Sequence, residues 1–122
     1  MAMIFDVQQD ARFYCFGAGV DMRKGIQGLY ALIRASSDLD ALSGDVFVFI
    51  GSNCKSIKVL QWHRNGFLLT HKRLEAGRFS LLTQRGEGAF IELKSPELRK
   101  MVNRIRQRSV MNELKQKAIS SF

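Results

Sequence analysis

Apolar and polar positions change rhythm several times along this chain, and each change marks an element. Ala11 to Phe16 alternates weakly, as a short strand does, and Gly17-Ala18-Gly19 then turns the chain. Ile26, Leu29, Tyr30 and Ile33 recur at helical spacing, with Leu32 beside the stripe. Asp21 is placed to cap that helix, which the pattern predicts from Met22 onward. Gly25 and Gly28, three apart, leave one side of the helix bare for a close neighbour. Ser36 to Ser43 is a polar connector. Val46 to Ile50 is then apolar without a break, the signature of a strand covered on both faces.

Two further runs, Ser56–Trp62 and Phe67–Leu74, flank Asn65-Gly66, the strongest short hairpin signal. A two-residue turn at those positions sets Arg64 opposite Phe67, Trp62 opposite Leu69, Leu60 opposite His71 and Lys58 opposite Arg73. All eight side chains then share one face. Lys58 against Arg73 is a like-charge pair, tolerable chiefly with an anion between them. Two readings of that face stay open: a nucleic-acid platform, or core with long basic side chains reaching to a wet rim. The other face, from Ile57, Val59, Gln61 and His63 to Leu68, Thr70, Lys72 and Leu74, is no more apolar.

Ser80–Leu82 has the composition of another short strand, Arg85–Gly88 of a turn, and Ala89–Leu93 of a last strand. Ser95-Pro96-Glu97 starts a helix, with a cap, proline at the first helical position and an acid in the first turn. Leu98, Met101, Val102 and Ile105 form its apolar stripe; Lys100, Arg104 and Arg108 repeat every four residues on another side. The apolar phase slips after Arg108, so a kink or a second helix is expected near Ser109. The predicted fold is α+β: a mostly antiparallel sheet of about five strands, one helix after the first strand and a basic C-terminal helix. The chain forms one domain over 1–122, its core about 11–107 and a basic helical tail about 108–122.

Charge adds a direction to this layout. Residues 1–51 carry four Lys/Arg against six Asp/Glu, a net −2; residues 52–95 carry eight against three, +5; residues 96–122 carry seven against two, again +5. The total of +8 suits a polyanionic partner. At 46% hydrophobic the chain is not disordered in general, and no apolar run reaches membrane-spanning length. The N-terminal MAMIFDVQQDARF lacks a basic n-region and a long apolar stretch, which predicts a cytosolic protein. Cys15 and Cys54 are expected as reduced thiols without catalytic neighbours. His63 and His71 fall on opposite hairpin faces, which argues against a zinc site. The acids sit in connectors and caps, so neither a catalytic group nor a metal or other cofactor is expected. Gly17–Gly25, with Arg23 and Lys24, lacks the spacing and terminal Ser/Thr of a nucleotide loop; it suits a backbone phosphate better, provided Asp21 is absorbed in its cap.

An ordered series of motifs resembles a known family. The series is Val20-Asp21-Met22-Arg23-Lys24-Gly25-Ile26, Ser43-Gly44 with Phe47-Val48-Phe49, Ile57-Lys58, Leu60, Trp62, Gly66-Phe67, Lys72-Arg73-Leu74-Glu75 and Gly77-Arg78-Phe79. It is similar to TnpB, the second-reading-frame accessory protein of IS66-type bacterial insertion sequences, which is distinct from the RNA-guided nuclease of the same name. The chain departs from the family pattern at His63, where aspartate is common, and in the turn before Ile57, where only Lys55 remains of several basic residues. The resemblance implies a protein encoded beside a helix-turn-helix partner and a separate transposase that holds the catalytic carboxylates.

The expected function is therefore a non-enzymatic accessory of DNA transposition that contacts nucleic-acid backbone and takes no small-molecule substrate. Arg23, Lys24, Lys58, Arg64, Lys72, Arg73 and Arg78 are the candidate contacts, with Lys100, Arg104 and Arg108 as auxiliaries. The alternative is an adaptor that docks the transposase without binding DNA, with exposed Trp62 and Phe67 as anchors and the bare Gly25/Gly28 face as a second contact. A small enzyme using Cys54 or a histidine is the third reading.

Overall fold

A computed structural model describes residues 11–79 and 89–106. Its elements are β1 (Phe13–Phe16), α1 (Ile26–Ser36), β2 (Val46–Ile50), β3 (Ser56–His63), β4 (Gly66–Arg73) and β5 (Phe90–Glu92), followed by a helix, α2, over residues 96–106. The strands form one sheet in the order β4-β3-β2-β1-β5. Only β1 and β2 run parallel, joined by a crossover through α1; the other three pairings are antiparallel. This is the predicted α+β fold. Ser80–Leu82, Arg85–Gly88, Arg108 and the expected break near Ser109 lie outside the described residues.

The central strand explains the stability of the whole. Val46, Phe47, Val48, Phe49 and Ile50 are all at most 1% exposed, because β2 is covered on both faces. Val46, Val48 and Ile50 meet Phe13, Cys15, Ile57, Val59, Leu93, Val102 and Ile105 under α2. Phe47 and Phe49 meet Tyr14, Phe16, Leu29, Ile33 and Leu60 under α1. Each such side chain contributes about 1.5–3 kcal/mol by leaving water. The α1 face is aromatic: Phe90 meets Phe16, Phe47 and Phe49 edge-on at centroid separations of 5.2–5.8 Å. The α2 face is mainly aliphatic.

Helix α2 starts as its sequence predicts. Ser95 Oγ accepts from the Leu98 N–H at 3.5 Å, and the Ser95 carbonyl accepts from Arg99 N–H at 3.1 Å. Helix α1 starts later than expected, at Ile26, with Gly25 as an N-cap that makes no side-chain hydrogen bond. The expected cap, Asp21, is engaged elsewhere: its carboxylate accepts the Arg23 N–H at 2.9 Å and pairs with the Arg23 guanidinium. This local i to i+2 contact competes with capping for the carboxylate and occupies it. Among the described residues the bare side at Gly25 and Gly28 packs on no partner. A Cβ at Gly25 would meet nothing within 4 Å, and one at Gly28 only the Lys24 side chain.

The hairpin also closes differently from its local signal. The register pairs His63 with Gly66, so Arg64-Asn65 is the two-residue turn and Gly66 belongs to the strand. Arg64 takes φ +60° and Asn65 stays at negative φ, the sign pattern of a type II′ turn. Every cross-strand pair therefore moves by two residues. Trp62 faces Phe67, Leu60 faces Leu69, Lys58 faces His71 and Ser56 faces Arg73. Membership of each face is unchanged by an even shift, but the like-charge pair Lys58–Arg73 is gone. Apolar pairs replace the Arg64–Phe67 and Leu60–His71 mismatches, and those pairs outweigh the Asn-Gly turn preference.

Candidate nucleic-acid interface

The sequence-predicted cations separate into three places. At the end of the sheet where β1 and β2 finish, the backbone brings four segments together. Val20 N–H donates to the Ile50 carbonyl at 2.8 Å, tying the loop after β1 to the exit of β2. Leu74 N–H donates to the Lys55 carbonyl at 2.8 Å and Phe79 N–H to the Cys54 carbonyl at 2.6 Å, so the chain after β4 lies along the β2–β3 turn. Lys58 Nζ donates to the Lys24 carbonyl at 2.7 Å, pinning the approach to α1 onto β3. Arg23, Lys24, Arg73 and Arg78 are all exposed there, together with Lys55, which the candidate set omitted. Only the strand directions show that the β2–β3 turn shares an end with Arg73 and the loop after β1. A tally of which strand ends coincide was the signal that could have found Lys55.

Among the described residues the acids at this end are Asp21 and Glu75. Asp21 is bound by Arg23, whose guanidinium and backbone N–H hold the carboxyl well down, to about 2. Glu75 is exposed. The Arg23 side chain remains 91% exposed despite its ion pair. The start of α1 faces the same end, with no acid in its first turn, so its free N–H groups add partial positive charge. His71, on β4, is shifted below its usual value, first by partial burial and then by Lys58 and Arg73.

Lys58 itself is 8% exposed and committed to its carbonyl. It supports the Lys24 backbone and adds charge from beneath rather than offering a free ammonium. Lys72 is half-buried at the same end but on the α2 face. Arg64 is exposed at the far end of the hairpin, about 25 Å along the strands. Lys100 and Arg104 are exposed on α2, across the sheet. Trp62 and Phe67 are half-buried, in edge-on contact at 5.1 Å, and Phe67 also meets Tyr30 of α1 at 5.7 Å.

One buried cation was not anticipated. Arg106 is 4% exposed; its guanidinium donates to Gln61 Oε1 and to Asn103 Oδ1, the latter at 2.8 Å, while Nε has no partner among the described residues. Burial lowers its pKa. Gln61 in turn donates to the Gly44 carbonyl at 2.9 Å, so a polar chain ties α2 through β3 to the entry of β2. The docking of α2 against Gln61 is a tertiary fact invisible to helical periodicity, which marks only the apolar stripe and the Lys100–Arg104 side. The thiols are both free. Burial pushes Cys15 up to about 12, so it stays protonated. No helix among the described residues is long and apolar enough to cross a membrane.

Comparison with known proteins agrees with the motif series. An uncharacterized protein, y4jC of Sinorhizobium fredii (strain NBRC 101917 / NGR234), is 38% identical over 60 residues, covering 49% of this chain and 51% of that protein. The chain thus matches about half the length of that relative. A second from the same organism, y4hO, is 31% identical over 90 residues, covering 74% of this chain and 76% of the relative. No solved structure matches. The family model of IS66 Orf2-like proteins matches residues 11–112, the stretch that contains every element described above. The chain belongs to the IS66 Orf2-like family, accessory proteins associated with transposition.

Proposed function

We propose that this protein serves transposition without chemistry of its own, by holding nucleic-acid backbone at the end of the sheet where β1 and β2 finish. The observation that carries the reading is the convergence there of exposed Arg23, Lys24, Lys55, Arg73 and Arg78 beside the N-terminus of α1. Of the two described acids at this end, Asp21 is already bound to Arg23, which leaves Glu75 against five cations. Long exposed cations around a helix start suit phosphates spaced along a strand, and phosphate contacts position a protein without reading sequence. Little base specificity is therefore expected. Lys58 holds the Lys24 backbone in place, and Lys72 adds charge from the neighbouring face. Arg64, Lys100, Arg104 and Arg108 are auxiliary contacts for a long or bent duplex.

The packing favours this reading over an adaptor that docks the transposase through Trp62 and Phe67, since both rings are engaged with each other and Phe67 with Tyr30. The test is electrophoretic retardation of double- and single-stranded DNA across a salt series. Binding that weakens linearly in log–log form as salt rises supports backbone contact. Absence of retardation at low salt, with co-purification of the transposase or its helix-turn-helix partner instead, replaces it with the adaptor.

A further inference from the structure

The two edges of the sheet are unlike. β5 has three residues and carries Glu92. β4 has eight, paired with β3 in unbroken register, with neither proline nor bulge. In an antiparallel pair only alternate residues bond inward, and the pair closing a two-residue turn is one that does. His63–Gly66 closes this turn, so Gly66, Leu68, Thr70 and Lys72 bond to β3. Phe67, Leu69, His71 and Arg73 then aim their N–H and C=O groups away from the sheet. Nothing pairs with that row among the described residues.

An exposed row of this length is a template for another strand, and proteins usually blunt it by shortening, kinking or charging it. Among the described residues charge is the sole device. Lys72 and Arg73 lie at one end, with Arg78 just beyond, while Phe67, Leu68 and Leu69 present half-buried apolar surface at the other. Cations on a chain of net +8 repel a second copy but attract carboxylates. We propose that the β4 edge is a docking site for an extended segment of a protein partner, apolar at one end and rich in Asp or Glu at the other, which adds as a sixth strand. Main-chain hydrogen bonds to Phe67, Leu69, His71 and Arg73 supply affinity; Lys72, Arg73 and Arg78 select the acidic end. The row of main-chain groups does not rest on the proposed nucleic-acid contacts, although Arg73 and Arg78 belong to both surfaces.

The test uses the full chain and a blocked peptide, Val-Ile-Val-Glu-Thr-Glu, followed by backbone amide NMR. The expected result is saturable binding that slows solvent exchange at the amides of Phe67, Leu69, His71 and Arg73. N-methylating alternate peptide nitrogens removes hydrogen bonds but no charge, and should weaken binding about tenfold or more. His71→Pro, which deletes one outward N–H at an exposed position, should weaken it about five- to tenfold, while His71→Thr keeps the N–H and stays within about threefold. Three results overturn the proposal. One is protection of those four amides before peptide is added, which means that the chain itself or a second copy already covers the edge. Another is equal affinity for the N-methylated peptide, which means charge attraction alone. The last is no saturable shift up to about 1 mM peptide.

Discussion

The two ends of the sheet both carry exposed cations and treat them differently. Where β1 and β2 finish, Arg73 and Arg78 stand exposed beside Lys24 and Lys55, and the acid nearest Arg23 is already bound to it. At the opposite end, Arg12 lies among groups that favour its charge, Tyr14 first and then Glu92 and Asp45, and its backbone N–H donates to Asp45 at 2.9 Å. Arg64 occupies the turn there, held by backbone geometry rather than by a cluster. Counting basic residues thus overstates an interface unless the carboxylates beside them are counted too. What distinguishes the first end is uncompensated charge at the mouth of a parallel β-α-β unit, where the helix start adds to it.

Both ends hang on β2, so the largest effect belongs to its core. Phe47→Ala should cost about 3–5 kcal/mol and lower the melting temperature sharply. A loss below about 1 kcal/mol would mean that the two faces do not share that strand as described.

The next effect tests the buried polar chain behind the α2 face. Arg106→Met orphans Gln61 Oε1 and should destabilise by about 1–3 kcal/mol. The double variant Arg106→Met/Gln61→Leu should recover most of that loss, because a buried cation with no carboxylate partner among the described residues is replaced by apolar packing. Additive losses in denaturant titrations would show that the two side chains are not coupled.

The hairpin turn gives a smaller, paired contrast. Arg64→Val places a β-branched residue at positive φ and should cost about 1 kcal/mol or more, whereas Gly66→Val, at a strand position with open space for its Cβ, should be neutral within about 0.5 kcal/mol. The reverse ranking would restore Asn65-Gly66 as the turn.

The smallest effect is a titration. His71 has its pKa lowered in the fold, so the unfolded chain takes up the proton more readily as pH falls. Stability should be unaffected well above 6.5 and should decline as pH drops through 6.5 towards the lower folded value. His71→Gln should flatten that decline. An unchanged pH profile in the variant would remove His71 as the cause.

Much of this fold was legible because its signals are local or periodic. The unbroken Val46–Ile50 run marked a strand covered twice, and Ser95-Pro96 marked a helix start. The failures share one cause, which is competition between local preference and tertiary pairing. Asn65-Gly66 is the better turn in isolation, but shifting by two residues matches Trp62 with Phe67 and Leu60 with Leu69. Asp21 looked like a cap until Arg23 claimed it. Lys58, a candidate backbone contact by its sequence, is buried and donates to the Lys24 carbonyl, and Arg106 is buried against Gln61, each partner distant in sequence. For the interface, residue types were visible but their grouping was not. Arg64 separates from Arg73, and Lys55 joins it, only once strand directions are known.

The most direct measurement is the salt dependence of duplex DNA binding for two neutralised variants. One is Lys24→Gln/Lys55→Gln/Arg73→Gln at the basic end; the other is Arg12→Gln/Arg64→Gln at the far end. The first should lose affinity, with a log–log salt slope shallower by about 0.9 per phosphate contact removed, while the second should keep a near-normal slope. Equal losses in both variants, or no loss in the first, would contradict a localised interface where β1 and β2 finish.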